Sequence, residues 1–274
     1  MMKRKRLILV SGGIIVLLIV ATVVIVPFVR KSFFRFQMPG HKPMECFYSE
    51  PDMVAFCEAV ILSDMKTMDR YLKTGKVDVN KVGKEGVTPL LMAFKTRNKE
   101  AFLKLLQNGA DPNLQNNGWC PIALAVDLGE YDFVALCLQH KGNPNLYYED
   151  RGNTLIGLSI SSADIKMLKM LLDAGADPNL PSLYGSFTAI EDAATVNLYD
   201  MVLFLLERGA KLEAKDKETL VKCLKDNLNN PNFNHFGKSM ENKEKVVDYL
   251  EKKGVDVKEL RVLISGLKAK NGIK

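Results

Sequence analysis

The sequence predicts an all-α fold: a solenoid of paired helices with finger loops, preceded by a single transmembrane helix. Two observations predict the solenoid, because one short phrase recurs along the chain and a second, rich in small apolar residues, keeps the same spacing. A third observation predicts the transmembrane helix, since the N-terminal region contains a long apolar run without charge.

The composition is that of a folded protein. Of 274 residues, 47% are hydrophobic and 26% are charged, which is enough apolar material for a sizeable core. The net charge of +6 is unevenly placed, because residues 1–44 carry eight basic residues and no acid, which leaves −2 for the rest. A slightly acidic body lacks the basic surface that binds phosphate backbones, so we expect no nucleic-acid partner.

Residues 7–26 form the predicted membrane segment. These twenty positions carry no charge and are mostly aliphatic, and a helix of that length spans about 30 Å, the thickness of the hydrocarbon core. No small-x-small cleavage site follows, so we interpret the segment as an uncleaved signal anchor in contact with the lipid bilayer. Residues 1–6 then form a basic flank, and residues 27–50 form a membrane-proximal linker.

Basic residues on either side of this segment predict its orientation. Four precede it within residues 1–6 and three follow it within residues 27–35, so the positive-inside rule favours a cytoplasmic N-terminus by a small margin. The protein would then be a single-pass component of a bacterial inner membrane, with its repeats in the periplasm. The reverse orientation, with the repeats facing the cytoplasm, stays open.

The recurring phrase reads NGADPN at residues 108–113 and AGADPN at 174–179. Including degenerate copies, its last positions fall at residues 80, 113, 145, 179, 213 and 258, which are 33, 32, 34, 34 and 45 residues apart. The second phrase reads GVTPLLMAF, GWCPIALAV, GNTLIGLSI and TAIEDAA, and its corresponding positions are Thr88, Cys120, Thr154 and Thr188. The two phrases therefore share one period of about 33 residues.

Each period predicts a helix, a turn, a second helix and an extended loop. Thr88 supplies a hydroxyl at an N-cap, and Pro89 occupies the first helical position, where a missing amide hydrogen is no loss. The run NKEAFLKLLQNGA has apolar residues at helical spacing, and Gly109 ends this second helix as a left-handed C-cap. Asp-Pro-Asn then turns the chain out into a finger.

These phrases resemble the ankyrin repeat, which has a period of about 33 residues and a T-P-L-H-x-A motif. The resemblance covers residues 51–258, and residues 259–274 supply a C-terminal capping helix and tail. The six repeats run over about 51–82, 86–115, 118–147, 151–181, 185–214 and 217–258.

Two repeats depart from the pattern. In the fourth, Leu155 replaces the proline and Gly157 lies inside the first helix, which predicts a short or weak helix. In the sixth, the Asn-rich stretch 227–242 contains Pro231 and Gly237, which predicts a loop between its two helices.

The resemblance implies protein binding, since ankyrin arrays present a concave surface of finger tips and first-helix faces to a protein partner; the fold alone supports no more specific activity. Several finger tips carry Trp, Tyr or Arg, the residue types enriched at interface hot spots. The predicted partner-binding residues are Trp119, Tyr147, Tyr148, Arg151, Tyr184 and Phe187. The alternative is that Trp119, Tyr147 and Phe187 pack between adjacent fingers. The tip LYYEDR, residues 146–151, is the first place to look for the partner.

The sequence predicts neither an enzyme nor a cofactor. No HExxH, GxSxG, P-loop or GxGxxG motif occurs in the sequence. Cys120 occupies a helix-cap position rather than that of a nucleophile. The five cysteines show no CxxC or metal spacing, so no metal site is expected. Cys46 and Cys57 are the one pair close enough in sequence for a disulfide if the domain is periplasmic.

Two functions remain open for a membrane-anchored protein-binding module. The first is a bacterial envelope immunity protein or inhibitor that caps a toxin or enzyme, similar to ankyrin-like immunity proteins of bacterial toxin systems. The second is an envelope scaffold or assembly factor that retains a partner enzyme at the membrane. A purely structural role facing the lipid is disfavoured by the hydrophilic body of the chain.

Overall fold

The computed structural model describes residues 47–149, 152–181, 187–230 and 237–270. Within these ranges the chain forms thirteen α-helices and one short pair of strands. The helices are α1 (Pro51–Leu62), α2 (Met65–Thr74), α3 (Pro89–Lys95), α4 (Lys99–Gln107), α5 (Pro121–Asp127), α6 (Tyr131–Gln139), α7 (Leu155–Ser161), α8 (Ile165–Asp173), α9 (Ala189–Thr195), α10 (Tyr199–Glu207), α11 (Ala214–Asn229), α12 (Gly237–Lys252) and α13 (Lys258–Lys270). The antiparallel strands are β1 (Tyr147–Tyr148) and β2 (Asn153–Thr154).

The predicted membrane segment, residues 7–26, lies outside the described residues. No helix in the described ranges is both long enough and apolar enough to cross a bilayer. The described chain falls into two compact units. The first comprises residues 47–124 with 139–141, and the second comprises the remaining described residues.

In the first unit, side-chain caps start the helices as the pattern predicts. The Thr88 hydroxyl accepts the amide hydrogen of Leu91 at 3.2 Å and begins α3. Asn98 accepts the amide of Ala101 at 3.1 Å and begins α4. The Asn98 side chain also donates to the carbonyl of Val60 at 2.8 Å. One side chain therefore caps its own helix and fixes that helix to the preceding repeat.

The last residue of the recurring phrase binds the next finger. In the first unit, the Asn80 side chain accepts the Asp111 amide at 2.7 Å and donates to the Gly109 carbonyl at 2.9 Å. In the second unit, Asn145 forms the equivalent two bonds to the finger one repeat later, at 2.7 and 3.3 Å. These asparagines satisfy backbone groups that have no partner in a helix, which gives a physical reason for the period.

Residues before α1 pack under the first finger. Tyr48 is 2% exposed and its hydroxyl donates to the Val87 carbonyl at 2.8 Å. The Phe47 carbonyl accepts the amide of Lys84 at 2.9 Å. This close approach requires Gly83, because a Cβ there would lie 2.8 Å from the Phe47 oxygen. Ordered packing therefore begins before the first predicted repeat.

The first helix of the fourth repeat differs from its prediction. α7 has seven residues, the same length as α3, α5 and α9. The Thr154 hydroxyl caps it by accepting the Gly157 amide at 3.0 Å. Side chains on both sides of Gly157 are buried, including Leu155 and Leu158. The prediction of a short helix was wrong because the cap and this packing outweigh the low helix propensity of glycine.

The sixth repeat also corrects a prediction. The predicted loop at 227–242 is too long, because α11 continues to Asn229 and α12 begins at Gly237. Leu220, Leu224 and Leu228 are buried at four-residue spacing and carry α11 into the expected loop. The predicted capping helix corresponds to α13, which packs against α11 and α12.

Candidate functional site

Four of the six predicted partner-binding residues lie in the described part of the chain, whereas Arg151 and Tyr184 lie outside it. Trp119 belongs to the first compact unit. The other three belong to the second unit: Tyr147, Tyr148 and Phe187.

Trp119 ends a two-residue hairpin at the tip of the second finger. Asn116 and Trp119 exchange both backbone hydrogen bonds, each 2.8 Å long. Between them, Asn117 and Gly118 have φ angles of 46° and 74°, the left-handed pair that an Asn-Gly turn of type I′ adopts. The two tip residues are exposed and Trp119 is half-buried. The turn therefore fixes the backbone from which the indole projects.

A buried lysine lies against the Trp119 ring. The Lys95 ammonium is 3.9 Å from the ring centroid, and Lys95 is 5% exposed. Burial lowers the pKa of Lys95 to about 8, a shift that the negative charge of Glu85 opposes. A cation over an indole face is the strongest of the cation–π pairs. This contact therefore braces the indole.

The backbone of the first finger, at Glu85 and Gly86, packs against this hairpin. Gly86 has a φ of 76°, and a Cβ there would lie 2.8 Å from the carbonyl oxygen of Asn116. Glu85 beside it has a φ of 62°, a left-handed conformation that is unfavourable for a residue with a side chain. The two finger backbones are therefore in close contact, and Gly86 sets the position of the Trp119 hairpin.

The third finger is a β-hairpin in which one tyrosine is buried and the other is hydrogen-bonded to the next finger. Tyr148 is 2% exposed. Tyr147 is half-buried, and its hydroxyl donates to the Pro181 carbonyl of the next finger at 2.8 Å. The contacts of Tyr147 correspond to the packing alternative, and a partner would reach the Tyr148 ring only if the hairpin opened. Glu149 at the hairpin tip is exposed.

Phe187 is open to solvent in the second unit. It is 42% exposed and directly precedes Thr188, the cap residue of α9. The Lys215 ammonium is 5.1 Å from the ring centroid. The exposed part of Phe187 is accessible to a partner.

A buried carboxylate network that the sequence analysis missed fixes α9. Glu191 is fully buried and accepts hydrogen bonds from the Thr188 amide at 3.1 Å and the Thr219 hydroxyl at 3.0 Å. Asp216 accepts the Thr188 hydroxyl at 2.7 Å. Burial, together with the charge of Glu191, raises the pKa of Asp192 to about 6. The only signal in the sequence was the Thr-x-x-Glu capping box, which does not reveal partners 28 residues away.

Lys95 was also missed, although a signal existed. The ankyrin pattern uses the end of the first helix for partner contacts, and Lys95 is the final residue of α3. The hot-spot composition of the fingers points only to finger-tip residues. It therefore identified the indole but not the cation that braces it.

The described ranges contain no group of three or more His, Cys, Asp or Glu side chains placed to hold a metal ion. Burial raises the pKa of the Cys120 thiol to about 11 and that of Cys57 to about 12. Both are therefore protonated at neutral pH and poor nucleophiles. Cys57 is a free, fully buried thiol in the structure, so the predicted disulfide with Cys46 is not formed there; Cys46 itself lies outside the described residues.

Comparison with known proteins bears on the helix pairs and fingers described above. Residues 56–146 and 96–182 match the family model for ankyrin repeats in three copies. The chain contains ankyrin repeats. The all-α ankyrin-repeat fold predicted from the sequence is thereby confirmed, and such repeats indicate a protein partner.

Two curated relatives share these ankyrin repeats over part of their length. The fowlpox virus ankyrin repeat protein FPV014 is 31% identical over 160 residues, which are 58% of this chain and 36% of that protein. Human transient receptor potential cation channel subfamily A member 1 is 32% identical over 119 residues, 40% of this chain and 11% of the channel. The chain thus spans about a third or less of these relatives.

A solved structure has the same ankyrin-repeat architecture. The crystal structure of the ankyrin repeat protein EF0377 has a TM-score of 0.50 and 28% sequence identity to this chain. The similarity covers 57% of this chain and 82% of that one.

Proposed function

We propose that this chain is a membrane-anchored protein-binding ankyrin module and that the Trp119 finger is a principal contact site. The observation that carries this proposal is the half-buried indole, held by a type I′ hairpin and by the Lys95 ammonium 3.9 Å from its ring centroid. A rigid aromatic side chain loses little entropy when a partner covers it. Phe187, 42% exposed in the second unit, is a separate candidate contact.

We further propose that the partner is a toxin or enzyme of the bacterial envelope and that the chain acts as its immunity protein or inhibitor. An anchor at residues 7–26 would keep the repeats beside the membrane, where such a partner acts. Capping an active site requires only a rigid complementary surface, which the braced finger supplies. The competing scaffold function uses the same surface but leaves the partner active.

Quantitative affinity purification of the full chain tests the Trp119 site. Tyr249→Ala is the matched control, because Tyr249 also carries a lysine ammonium, 5.5 Å from its ring centroid, but lies on α12. Truncating a hot-spot aromatic costs about 2 kcal/mol or more, so Trp119→Ala should weaken partner binding about 30-fold. Tyr249→Ala should leave recovery unchanged. A folded Trp119→Ala chain that recovers the partner as well as the wild type would contradict the proposal.

Two further experiments test location and role. A periplasm-dependent phosphatase fused after Lys274 should be active if the repeats are periplasmic and inactive in the reverse orientation. Co-expression with a toxin encoded beside this chain should be tolerated with the wild type and become lethal with Trp119→Ala. A captured partner that stays active when bound supports the scaffold function instead.

A further inference from the structure

The outer face of α2 carries three basic residues at helical spacing. Lys66, Arg70 and Lys73 occupy positions i, i+4 and i+7 and are all exposed. None of the three forms an ion pair with a described residue. The Arg70 guanidinium lies 5.1 Å from the Tyr71 ring centroid and stays on the surface. This face therefore carries three exposed positive charges at helical spacing, and those of Arg70 and Lys73 are partly offset by the carboxylates of Asp64 and Asp69.

The nearby acidic residues offset only part of this charge. Asp64 caps α2 by accepting a backbone amide at 3.1 Å. Asp69 is ion-paired with Lys104 at 2.6 Å. The exposed carboxylates of Asp52 and Glu58 lie on the preceding helix, α1. The basic surface is therefore limited to α2.

An exposed apolar side chain precedes the turn that leads into α2. Leu62 is the last residue of α1, four positions before Lys66, and is 76% exposed. Basic side chains beside an exposed apolar group are typical of surfaces that lie on a bilayer, because the cations contact anionic headgroups while the apolar group enters the boundary region.

The first repeat is also the repeat closest along the chain to the predicted anchor. Only residues 27–46 separate the segment 7–26 from the described chain, and even fully extended they would span at most about 70 Å. Tethering at this distance gives the first repeat a high effective concentration at the membrane surface, so a weak surface attraction is sufficient for docking.

We propose that the outer face of α2, with Leu62, docks on anionic phospholipid headgroups of the membrane that holds the anchor. The proposal rests on the membrane anchoring proposed above. Each Lys or Arg near an anionic surface strengthens binding about fivefold, so the three together contribute at most on the order of 100-fold, which Asp64 and Asp69 reduce. Docking would hold the first repeat against the bilayer and leave the finger tips to the protein partner.

Lysine footprinting of the full chain in lipid nanodiscs tests the proposal. Acylation of individual amines by a water-soluble reagent is compared in discs of phosphatidylcholine and in discs with about a third phosphatidylglycerol. Lys66 and Lys73 should react at least about fivefold more slowly in the anionic discs. Lys169, exposed on α8, should react equally in both. About 1 M salt, which shortens the Debye length to about 3 Å, should abolish the protection.

A second readout follows Leu62 and isolates the contribution of α2. Since Trp119 is the single tryptophan, Leu62→Trp in a Trp119→Phe background reports only from position 62. Brominated phosphatidylglycerol chains should quench this emission. Reversing three charges on α2 with Lys66→Glu, Arg70→Glu and Lys73→Glu should remove the quenching. Reversing three exposed lysines elsewhere, at Lys169, Lys222 and Lys252, should preserve it.

The outcomes separate the docking surface from the anchor. A folded chain that enters the discs while Lys66 and Lys73 react alike in both lipid compositions overturns the docking surface alone. A chain that does not co-elute with discs of either composition overturns the anchor and the docking surface together. Quenching that survives reversal of the α2 charges also overturns the proposal.

Discussion

Two opposing effects act on the positive charge of Lys95. Its ammonium loses water on burial, at 5% exposure, and gains the face of Trp119 at 3.9 Å. Its pKa of about 8 lies below the ordinary value of 10.5, so desolvation outweighs the attractions of the ring and of Glu85. The positive charge of Lys95 on the Trp119 ring is therefore lost as the pH rises above about 8.

We predict that Trp119 emission changes with a midpoint near pH 8, where Lys95 loses its proton. Lys95→Met should abolish this midpoint. Lys243→Met is the control, because burial also lowers the pKa of Lys243 to about 8 but that residue lies on α12 in the other unit. A fluorescence titration of the three proteins checks this, and a midpoint that persists in Lys95→Met would contradict it.

Titration of Lys95 also predicts a pH dependence of stability. Between pH 8 and 10.5 the unfolded chain binds a proton at Lys95 that the folded chain has released. The free energy of unfolding contributed by this residue therefore rises across that window and is flat below it. Urea unfolding at several pH values should show a smaller rise in Lys95→Met than in the wild type.

Asn145 shows what a single repeated residue contributes. Its side chain forms two hydrogen bonds to the backbone of the next finger, at 2.7 and 3.3 Å. We predict that Asn145→Ala lowers the free energy of unfolding by about 1–2 kcal/mol, because those backbone groups lose their partners. Asn229→Ala, at an exposed position at the end of α11, should change it by less than about 0.5 kcal/mol. Equal losses in urea unfolding would contradict the role of the phrase.

At the scale of one element, α7 keeps its length because of the strand before it. The Thr154 side chain caps the helix, and Thr154 itself is the last residue of β2. The Asn153 amide occupies the space that a side chain at position 157 would need. Position 157 therefore requires glycine because the hairpin packs closely against the helix there. Helix propensity does not explain this residue.

Two glycine substitutions in helices should act with opposite signs. Gly157→Ala should lower the free energy of unfolding by about 1–3 kcal/mol, because its Cβ would overlap the Asn153 side chain. Gly266→Ala, in α13, meets nothing within 4 Å and should raise stability by about 0.5–1 kcal/mol through helix propensity. Adding Asn153→Ala should partly rescue Gly157→Ala. The same sign for both single variants in urea unfolding would contradict this account.

At the scale of the whole molecule, an array of repeats must end in a helix with one apolar and one polar face. α13 meets this need, because Leu260 is fully buried and Ile264 is 4% exposed, whereas Glu259, Ser265 and Lys270 are exposed. Its buried face packs on α11 and α12 of the second unit. The stability of that unit therefore depends on its last helix.

Truncations in this capping helix test that dependence. Leu260→Ala should lower the free energy of unfolding by about 2–4 kcal/mol, because it leaves a cavity at a fully buried site. Val262→Ala, on the exposed face of the same helix, should change it by less than about 0.5 kcal/mol. Urea unfolding measures both, and a Leu260→Ala loss no larger than that of Val262→Ala would show that α13 does not stabilise the array.

The sequence by itself determined the local parts of this protein. The period is visible as a repeated phrase, and the helix pairs, the Thr88 cap, the left-handed Gly109 and the helix at 258–270 each depend on residues a few positions apart. The Asn-Gly signal of the Trp119 hairpin was also present and went unused. Such features can be predicted because their partners lie within the same turn or helix.

Only the tertiary structure decided which finger residues are available. Tyr148 and Phe187 are both aromatic residues of finger segments, yet one is 2% and the other 42% exposed. Tyr147 bonds a carbonyl 34 residues away, and Glu191 bonds a hydroxyl 28 residues away. Burial and these contacts depend on side chains one repeat distant, whose positions exist only once the repeats have packed.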